Sequence, residues 1–102
     1  MVSYVKNMER NSTLHKATDP KIIRHKNPSG KVTWHRAGFI DEQGRQRYSP
    51  RYHGKCQLSR KAAQNWLYAN TRIWVDVMTV EQRIVDADGK SKIIQLGTEK
   101  IV

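Results

Sequence analysis

Two short segments with the same turn chemistry constrain the fold of this chain most. Asp41–Arg45 (DEQGR) and Asp86–Lys90 (DADGK) both place a glycine three residues after an aspartate, and apolar residues precede both segments. An aspartate that accepts hydrogen bonds from the following backbone, with a glycine in the left-handed region, is typical of tight turns between antiparallel strands. The pattern therefore predicts two β-hairpins, the first with a G1 bulge at Gly44.

The residues around these turns alternate between apolar and polar character, as half-buried strands do. Alternation from Val32 to Ile40 places the first hairpin over residues 31–48. The second hairpin is expected over residues 72–96, where a shift of the apolar phase after Thr79 indicates a bulge.

One segment, Ser59–Ala69, has clear helical periodicity. Its apolar residues recur at spacings of three and four, and Ser59 is predicted to be the N-cap. We therefore expect a small single-domain α+β protein, in which an antiparallel sheet made of the two hairpins (31–48 and 72–96) packs against one helix (59–69).

Residues 1–30 show no convincing period of either kind. They contain basic residues from Lys6 to Lys26, interrupted by Pro20, and end in turn-forming residues up to Gly30. We interpret residues 1–30 as a basic arm, flexible or loosely docked, with Ile22 and Ile23 as a short strand or anchor. Residues 31–102 form the predicted domain.

The excess positive charge is confined to the first part of the chain. Residues 1–61 contain 14 Lys/Arg and 4 Asp/Glu, a net charge of +10, whereas residues 62–102 contain 5 of each and are neutral. The two parts add up to the +10 of the whole chain. Charge of one sign repels itself within a folded protein and favours a polyanionic partner. We expect a non-enzymatic protein that binds nucleic acid, either DNA or RNA, mainly through the phosphate backbone.

Aromatic residues are interleaved with the cations of this basic part, and rings of this kind stack on unpaired bases. At the predicted start of the helix, Arg60 and Lys61 oppose the helix dipole unless a phosphate binds there, and Ser59 could add its hydroxyl. The predicted nucleic-acid-binding residues are Trp34, Arg36, Arg45, Arg47, Tyr48, Arg51, Tyr52, Lys55, Ser59, Arg60 and Lys61. The alternatives are that Trp34 belongs to the core and that the cations form a solvated face.

No catalytic or cofactor motif is present. The sequence lacks a P-loop, GxGxxG, HExxH or Ser-His-Asp arrangement, so we expect neither enzymatic activity nor a cofactor. His53 and Cys56 form an HxxC pair that His25 and His35 would complete as zinc ligands. Structural zinc sites usually combine two closely spaced pairs, so we expect no metal and keep zinc as the alternative.

The expected compartment and partners rest on missing targeting segments and on the neutral residues 62–102. The sequence has no apolar run of membrane-spanning length, no signal-peptide core and a single cysteine, which favours a cytoplasmic protein without a membrane partner. The neutral, strand-rich residues 62–102 are compatible with a homodimer. The alternative function is a protein-interaction module that binds and modulates an acidic partner such as a host enzyme, with the edge of the second hairpin pairing to a partner strand.

No family is recognised, but the element order is informative. Strand, turn, strand and helix over residues 31–69 is similar to compact DNA-binding domains with three strands and one helix, such as the AP2 and integrase arm-binding types. That resemblance implies a basic, aromatic sheet face that enters the major groove. In size and basicity the chain also looks like small accessory or regulatory proteins of bacteriophages.

Overall fold

The computed structural model describes residues 14–101, which form five strands and one helix. The strands make a single sheet in the order β3-β2-β1-β4-β5. The elements are β1 (Thr18–Lys26), β2 (Val32–Ile40), β3 (Gln46–Tyr48), α1 (Cys56–Thr71), β4 (Val77–Val85) and β5 (Ser91–Lys100). The expected α+β class, with one helix packed on one sheet, is confirmed.

The sheet is mixed, in contrast to the expected antiparallel sheet. β1–β2, β2–β3 and β4–β5 are antiparallel pairs, whereas β1 and β4 are parallel. The parallel pair forms because β2, β3 and α1 together supply the long connection that brings the chain back beside β1. The two predicted hairpins are therefore both present, but they are joined through β1, of which only Ile22 and Ile23 were expected as a short strand or anchor.

This additional strand, β1, lies at the centre of the sheet and belongs to the predicted arm. Ile22 is fully buried under α1 and Ile23 is also buried. Asp19 has φ +52 and the register shifts between Thr18 and Lys21, so Pro20 lies at an irregularity that tolerates it. The prediction of a flexible or loosely docked arm is thus wrong for residues 18–30. Residues 14–17 precede β1 without regular structure, and the N–H of His15 donates to the Asn70 carbonyl. The part of that prediction for residues 1–13 lies outside the described residues.

Both predicted turns are confirmed. Gly44 and Gly89 have φ +79 and +80, and their N–H groups donate to the carbonyl oxygens of Asp41 and Asp86. The side chains of both aspartates accept hydrogen bonds from two backbone N–H groups of their turns. The second hairpin covers residues 77–100, and its bulge lies in β5 at Leu96, where the register shifts by one residue.

The helix α1 covers one face of the sheet and starts earlier than predicted. Lys55 is the N-cap, and the N–H of Ser59 already donates to the Lys55 carbonyl within the helix. Ser59 is therefore not the N-cap, and Arg60 and Lys61 lie beyond the first turn. Ala63 and Leu67 of α1 are fully buried against residues of β1, β2 and β4, which form the core. Within residues 14–101, no helix combines the length and the apolar character needed to cross a membrane.

Candidate nucleic-acid interface

The sheet face opposite α1, which we call the open face, carries no helix in residues 14–101. Side chains of directly paired residues in neighbouring strands lie on the same face. Ile22 pairs with Ala37 on the α1 side, so the next pair, Ile23 with Arg36, lies on the open face. The pair of His25 and Trp34 lies there as well, since it is two residues further along each strand.

Four of the predicted binding residues meet on the open face. The guanidinium carbon of Arg36 lies 3.9 Å from the centre of the Tyr48 ring and 5.3 Å from the centre of the Trp34 ring. The guanidinium carbon of Arg51 lies 4.8 Å from the centre of the Trp34 ring. The Trp34 ring also stacks on His25, with 4.4 Å between centroids and 2° between planes. We call these five residues the stacked cluster.

Trp34 is covered by its neighbours in this cluster. Its residue surface is only 7 % exposed, although it lies on the open face and outside the core beneath α1. The burial therefore favours the alternative in which Trp34 belongs to the interior, because two guanidinium groups and an imidazole already contact its ring. Tyr48 is 43 % exposed and keeps ring surface available.

The two arginines of the stacked cluster have no carboxylate partner among the described residues. The Nε of Arg36 is buried without a hydrogen-bond partner. Both guanidinium carbons lie over aromatic rings, and the N–H groups that are not buried can still donate to an anion. Arg51 is thus an exposed cation on this face, whereas Arg36 is partly buried.

The other predicted cations lie outside the stacked cluster. Arg45 donates to the side chain of Gln43 in the β2–β3 turn, and Arg47 forms an ion pair with Asp41 at 3.6 Å. The remaining three are near the start of α1: Lys55, Arg60 and Lys61. The predicted binding residues thus form three separate groups.

The predicted phosphate contact of Ser59 is wrong, because its hydroxyl is committed to the interior. Ser59 is 3 % exposed, and its Oγ donates to the Cys56 carbonyl at 3.1 Å. The Nε of Arg24 donates to Nε2 of His35 at 3.0 Å, so the imidazole proton is on Nδ1, which donates to Ser59 Oγ at 2.6 Å. Burial, and then the charges of Arg24 and Arg60, lower the pKa of His35 to about 4. His35 is therefore neutral near pH 7.

Tyr52 is also unsuited to stack on a base. Its backbone bonds to His35 in both directions as an isolated bridge, and its ring packs against the core. This burial raises the pKa of Tyr52 above its usual value. These contacts do not favour Tyr52 as a stacking residue, because its partner in the bridge holds it against the domain.

The four residues considered as zinc ligands do not converge. His25 lies on the open face, where its Nδ1–H donates to Glu81 at 2.8 Å. His35 lies on the α1 side and is occupied by Arg24 and Ser59. Within the described range 14–101, no group of three His, Cys, Asp or Glu is arranged to hold a metal ion. The geometry therefore does not support a zinc site built from these four residues.

Sequence reasoning missed three residues of the open face. His25, Lys21 and Glu81 were not among the predicted binding residues, although Lys21, Ile23 and His25 have the spacing of one strand face. Pro20 and the neighbouring charged residues argued against a strand, so the two-residue alternation was not used. The signal was present in the sequence but was weaker than the arguments for an arm.

Comparison with protein-family models, with curated proteins and with solved structures gave no significant match. The candidate interface is therefore argued from the geometry and charge of this chain.

Proposed function

We propose that this protein is a non-enzymatic nucleic-acid-binding module whose open face contacts phosphates through Arg36 and Arg51. The observation that carries the proposal is the stacked cluster, in which both guanidinium groups lie on aromatic rings and have no carboxylate partner within residues 14–101. Oriented arginines of this kind suit phosphate oxygens, and the exposed ring of Tyr48 suits a base. The proposal includes a cytoplasmic location. The free thiol of Cys56 is compatible with the reducing environment of that compartment.

The distribution of acids supports a polyanionic partner. Each described acid in residues 14–61 already has a partner: Asp19 pairs with Lys21, Asp41 pairs with Arg47, and Glu42 accepts a hydrogen bond from His15. Arg36, Arg51 and the cations near the start of α1 thus carry charge that these acids do not neutralise. A phosphate backbone supplies the missing anions at regular spacing.

The proposal is tested by the affinity for single-stranded and double-stranded DNA and RNA across a salt series. If about five to seven phosphates are contacted, the affinity should fall by orders of magnitude between low and physiological salt. Absence of binding at low salt, or binding that salt does not weaken, would contradict the proposal.

A second candidate function is a protein-interaction module for an acidic partner. It is favoured by β5, a ten-residue strand at the edge of the sheet on which Ile93 and Leu96 are about half exposed. Polyglutamate separates the two functions, because it offers negative charge without bases. A Tyr48→Ala variant should lose affinity for nucleic acid but not for polyglutamate if the first proposal holds. Equal losses, or none, would favour the second.

A further inference from the structure

The outer surface of α1 presents a row of exposed polar side chains to the solvent. Residues at spacings of four, three and four lie on one stripe of a helix, and those exposed here are Lys61, Asn65, Tyr68 and the C-cap residue Arg72. The helix face that packs on the core is the opposite one, which contains Ala63 and Leu67. We call these four residues the outer stripe. It lies on the other side of the sheet from the stacked cluster.

The C-terminal end of the outer stripe adjoins an exposed pair of aromatic rings. The ring centroids of Tyr68 and Trp74 lie 6.1 Å apart with 73° between the planes, so the rings meet edge to face. The guanidinium carbon of Arg72 lies 5.3 Å from the centre of the Tyr68 ring. Among residues 14–101, no cation lies over the ring of Trp74, and 52 % of the surface of this residue is exposed. Trp74 thus keeps ring surface available for a ligand.

An exposed indole ring forgoes the stabilisation that burial of its apolar surface would provide. The other two tryptophans are covered, since Trp34 is buried in the stacked cluster and Trp66 packs against the core. A ligand with a flat, weakly hydrated face would cover the Trp74 ring by stacking on it. A nucleobase that has left its stack presents such a face.

The charge along the outer stripe favours an anionic ligand. Residues 43–75 contain seven Lys/Arg and no Asp or Glu. Neither Lys61 nor Arg72 pairs with a carboxylate within the described part of the chain. The two cations are separated by about 16 Å along the helix axis, so they can contact different phosphates of one strand. The next acid, Asp76, is exposed beyond Trp74, and its charge favours a strand that runs along α1 rather than towards β4.

We propose that the outer stripe and Trp74 form a second nucleic-acid contact, in which an unpaired base stacks on the Trp74 ring while Arg72 and Lys61 contact phosphates of the same strand. The inference rests on the proposed nucleic-acid-binding function and adds a surface that this function does not use. A base inside a duplex has both faces against its neighbours, so this contact selects unpaired strands. Because the two contacts lie on opposite sides of the sheet, one molecule can hold two segments of nucleic acid.

Tryptophan fluorescence tests the stacking directly, because Trp74 is the most exposed of the three tryptophans. Stacking on a base quenches the emission of indole. Titration of the full chain at low salt with a single-stranded oligothymidine of about ten nucleotides should therefore lower the emission, and most of this loss should be absent in Trp74→Phe. A matched duplex should quench much less. Polyglutamate, which supplies charge without bases, should also quench much less.

Two further variants measure the contributions of the ring and of the cation to affinity. Trp74→Ala should weaken binding of the strand about fivefold. Arg72→Gly removes the guanidinium group but keeps the helix end, because glycine readily adopts the φ of +60° found at this C-cap. Its affinity should fall, and its log–log salt slope should fall by about 1.

Val85→Ala is the matched control. It shortens an apolar side chain that is 57 % exposed at the end of β4, away from α1, and it should leave both the quenching and the affinity unchanged. Circular dichroism verifies that all variants are folded.

The possible failures are distinguishable. If no nucleic acid binds, both the proposed function and this inference are overturned. If strands bind but Trp74→Ala and Arg72→Gly bind them as tightly as the unmodified protein does, the function stands and the second contact is overturned. Quenching that persists in Trp74→Phe, or that polyglutamate or the duplex produces equally, also overturns stacking of an unpaired base on Trp74.

Discussion

The guanidinium carbon of Arg36 lies 3.9 Å from the centre of the Tyr48 ring, and the close approach of that ring to β2 depends on Gly38. Gly38 pairs with Tyr48 across β2 and β3, and a Cβ atom at position 38 would lie 2.9 Å from the ring. The missing side chain lets the ring lie close to β2, where Arg36 reaches it. The contact between the Arg36 guanidinium and the Tyr48 ring thus depends on the absence of a side chain at Gly38.

Arg36→Lys preserves the charge but not the stacking, and it should weaken nucleic-acid binding about threefold to tenfold. An ammonium group has no planar surface to hold against Tyr48 and no paired N–H donors for a phosphate. The slope of affinity against salt should stay the same, because the number of cations is unchanged. Affinity equal to that of the unmodified protein across the salt series would show that charge alone is sufficient.

Gly38→Ala should displace the Tyr48 ring and weaken binding to the same extent as Tyr48→Ala. The ring is partly exposed and can turn outward, so we expect a modest loss of about 1 kcal/mol in the free energy of unfolding. Urea denaturation and oligonucleotide titration measure the two effects separately. A variant that binds normally would mean that the Arg36–Tyr48 contact is dispensable.

Ser59→Ala should destabilise the fold without changing the affinity for nucleic acid. The substitution leaves the Nδ1–H of His35 without its acceptor in a fully buried position, which costs about 1–3 kcal/mol. The control is Ser91→Ala, since Ser91 is exposed at the start of β5. A loss of affinity without a loss of stability would instead restore the phosphate contact predicted from the sequence.

Stability should fall as the pH is lowered from about 6.5 to about 4. The pKa of His35 is about 4 in the folded protein and 6.5 without the fold, so the unfolded chain binds the proton first and is favoured as the pH falls through this range. We expect a loss on the order of 2 kcal/mol, measured by urea denaturation at several pH values. Hydrogen bonds from the backbone of Arg45 and from the side chain of His15 lower the pKa values of Asp41 and Glu42, so further stability is lost at still lower pH.

A His35→Gln variant provides the control for this pH dependence. It lacks the titrating group, so its stability should change little between pH 6.5 and 5. If the unmodified protein were equally stable throughout that interval, the buried, neutral state of His35 would be contradicted.

Local chemistry was sufficient to predict the turns and the apolar stripe of the helix. The Asp41–Gly44 and Asp86–Gly89 turns depend on hydrogen bonds within five residues and on a glycine with positive φ, and both are visible in a single window of sequence. The stripe that contains Ala63 and Leu67 follows from helical spacing alone. These features were predicted correctly because their causes lie close together along the chain.

Only a short strand at Ile22 and Ile23 was expected, and the full length and central position of β1 could not be predicted because its partners are distant. Arg24 donates to Glu99, which lies 75 residues further along the chain, at 2.8 Å, and it also contacts His35 and Cys56. A sequence does not show these distant partners, so the basic residues of β1 were interpreted as part of a solvated arm. The parallel pairing with β4, which buries Ile22, leaves no local signature in the sequence.

The sequence analysis selected several residues of the candidate site but did not predict how they contact one another. Arg36, Tyr48 and Arg51 were selected as exposed cations and rings, but their stacking depends on the pairing of β2 with β3 and on the course of the following loop. Ser59 was misplaced because serine is common both at N-caps and as a buried hydrogen-bonding partner. Only the position of His35 behind it distinguishes the two roles.

The most direct measurement compares two double variants that lose the same charge at different places. Arg36→Ala/Arg51→Ala removes both cations of the stacked cluster, whereas Lys90→Ala/Lys92→Ala removes two exposed cations from the β4–β5 hairpin. Titration of a single-stranded oligonucleotide across a salt series should show that the first variant binds at least tenfold more weakly and that its log–log salt slope falls by about 2. The second variant should retain nearly the full affinity and slope. Equal losses in both variants would contradict an interface on the open face and would leave only the net charge of the chain as the cause of binding.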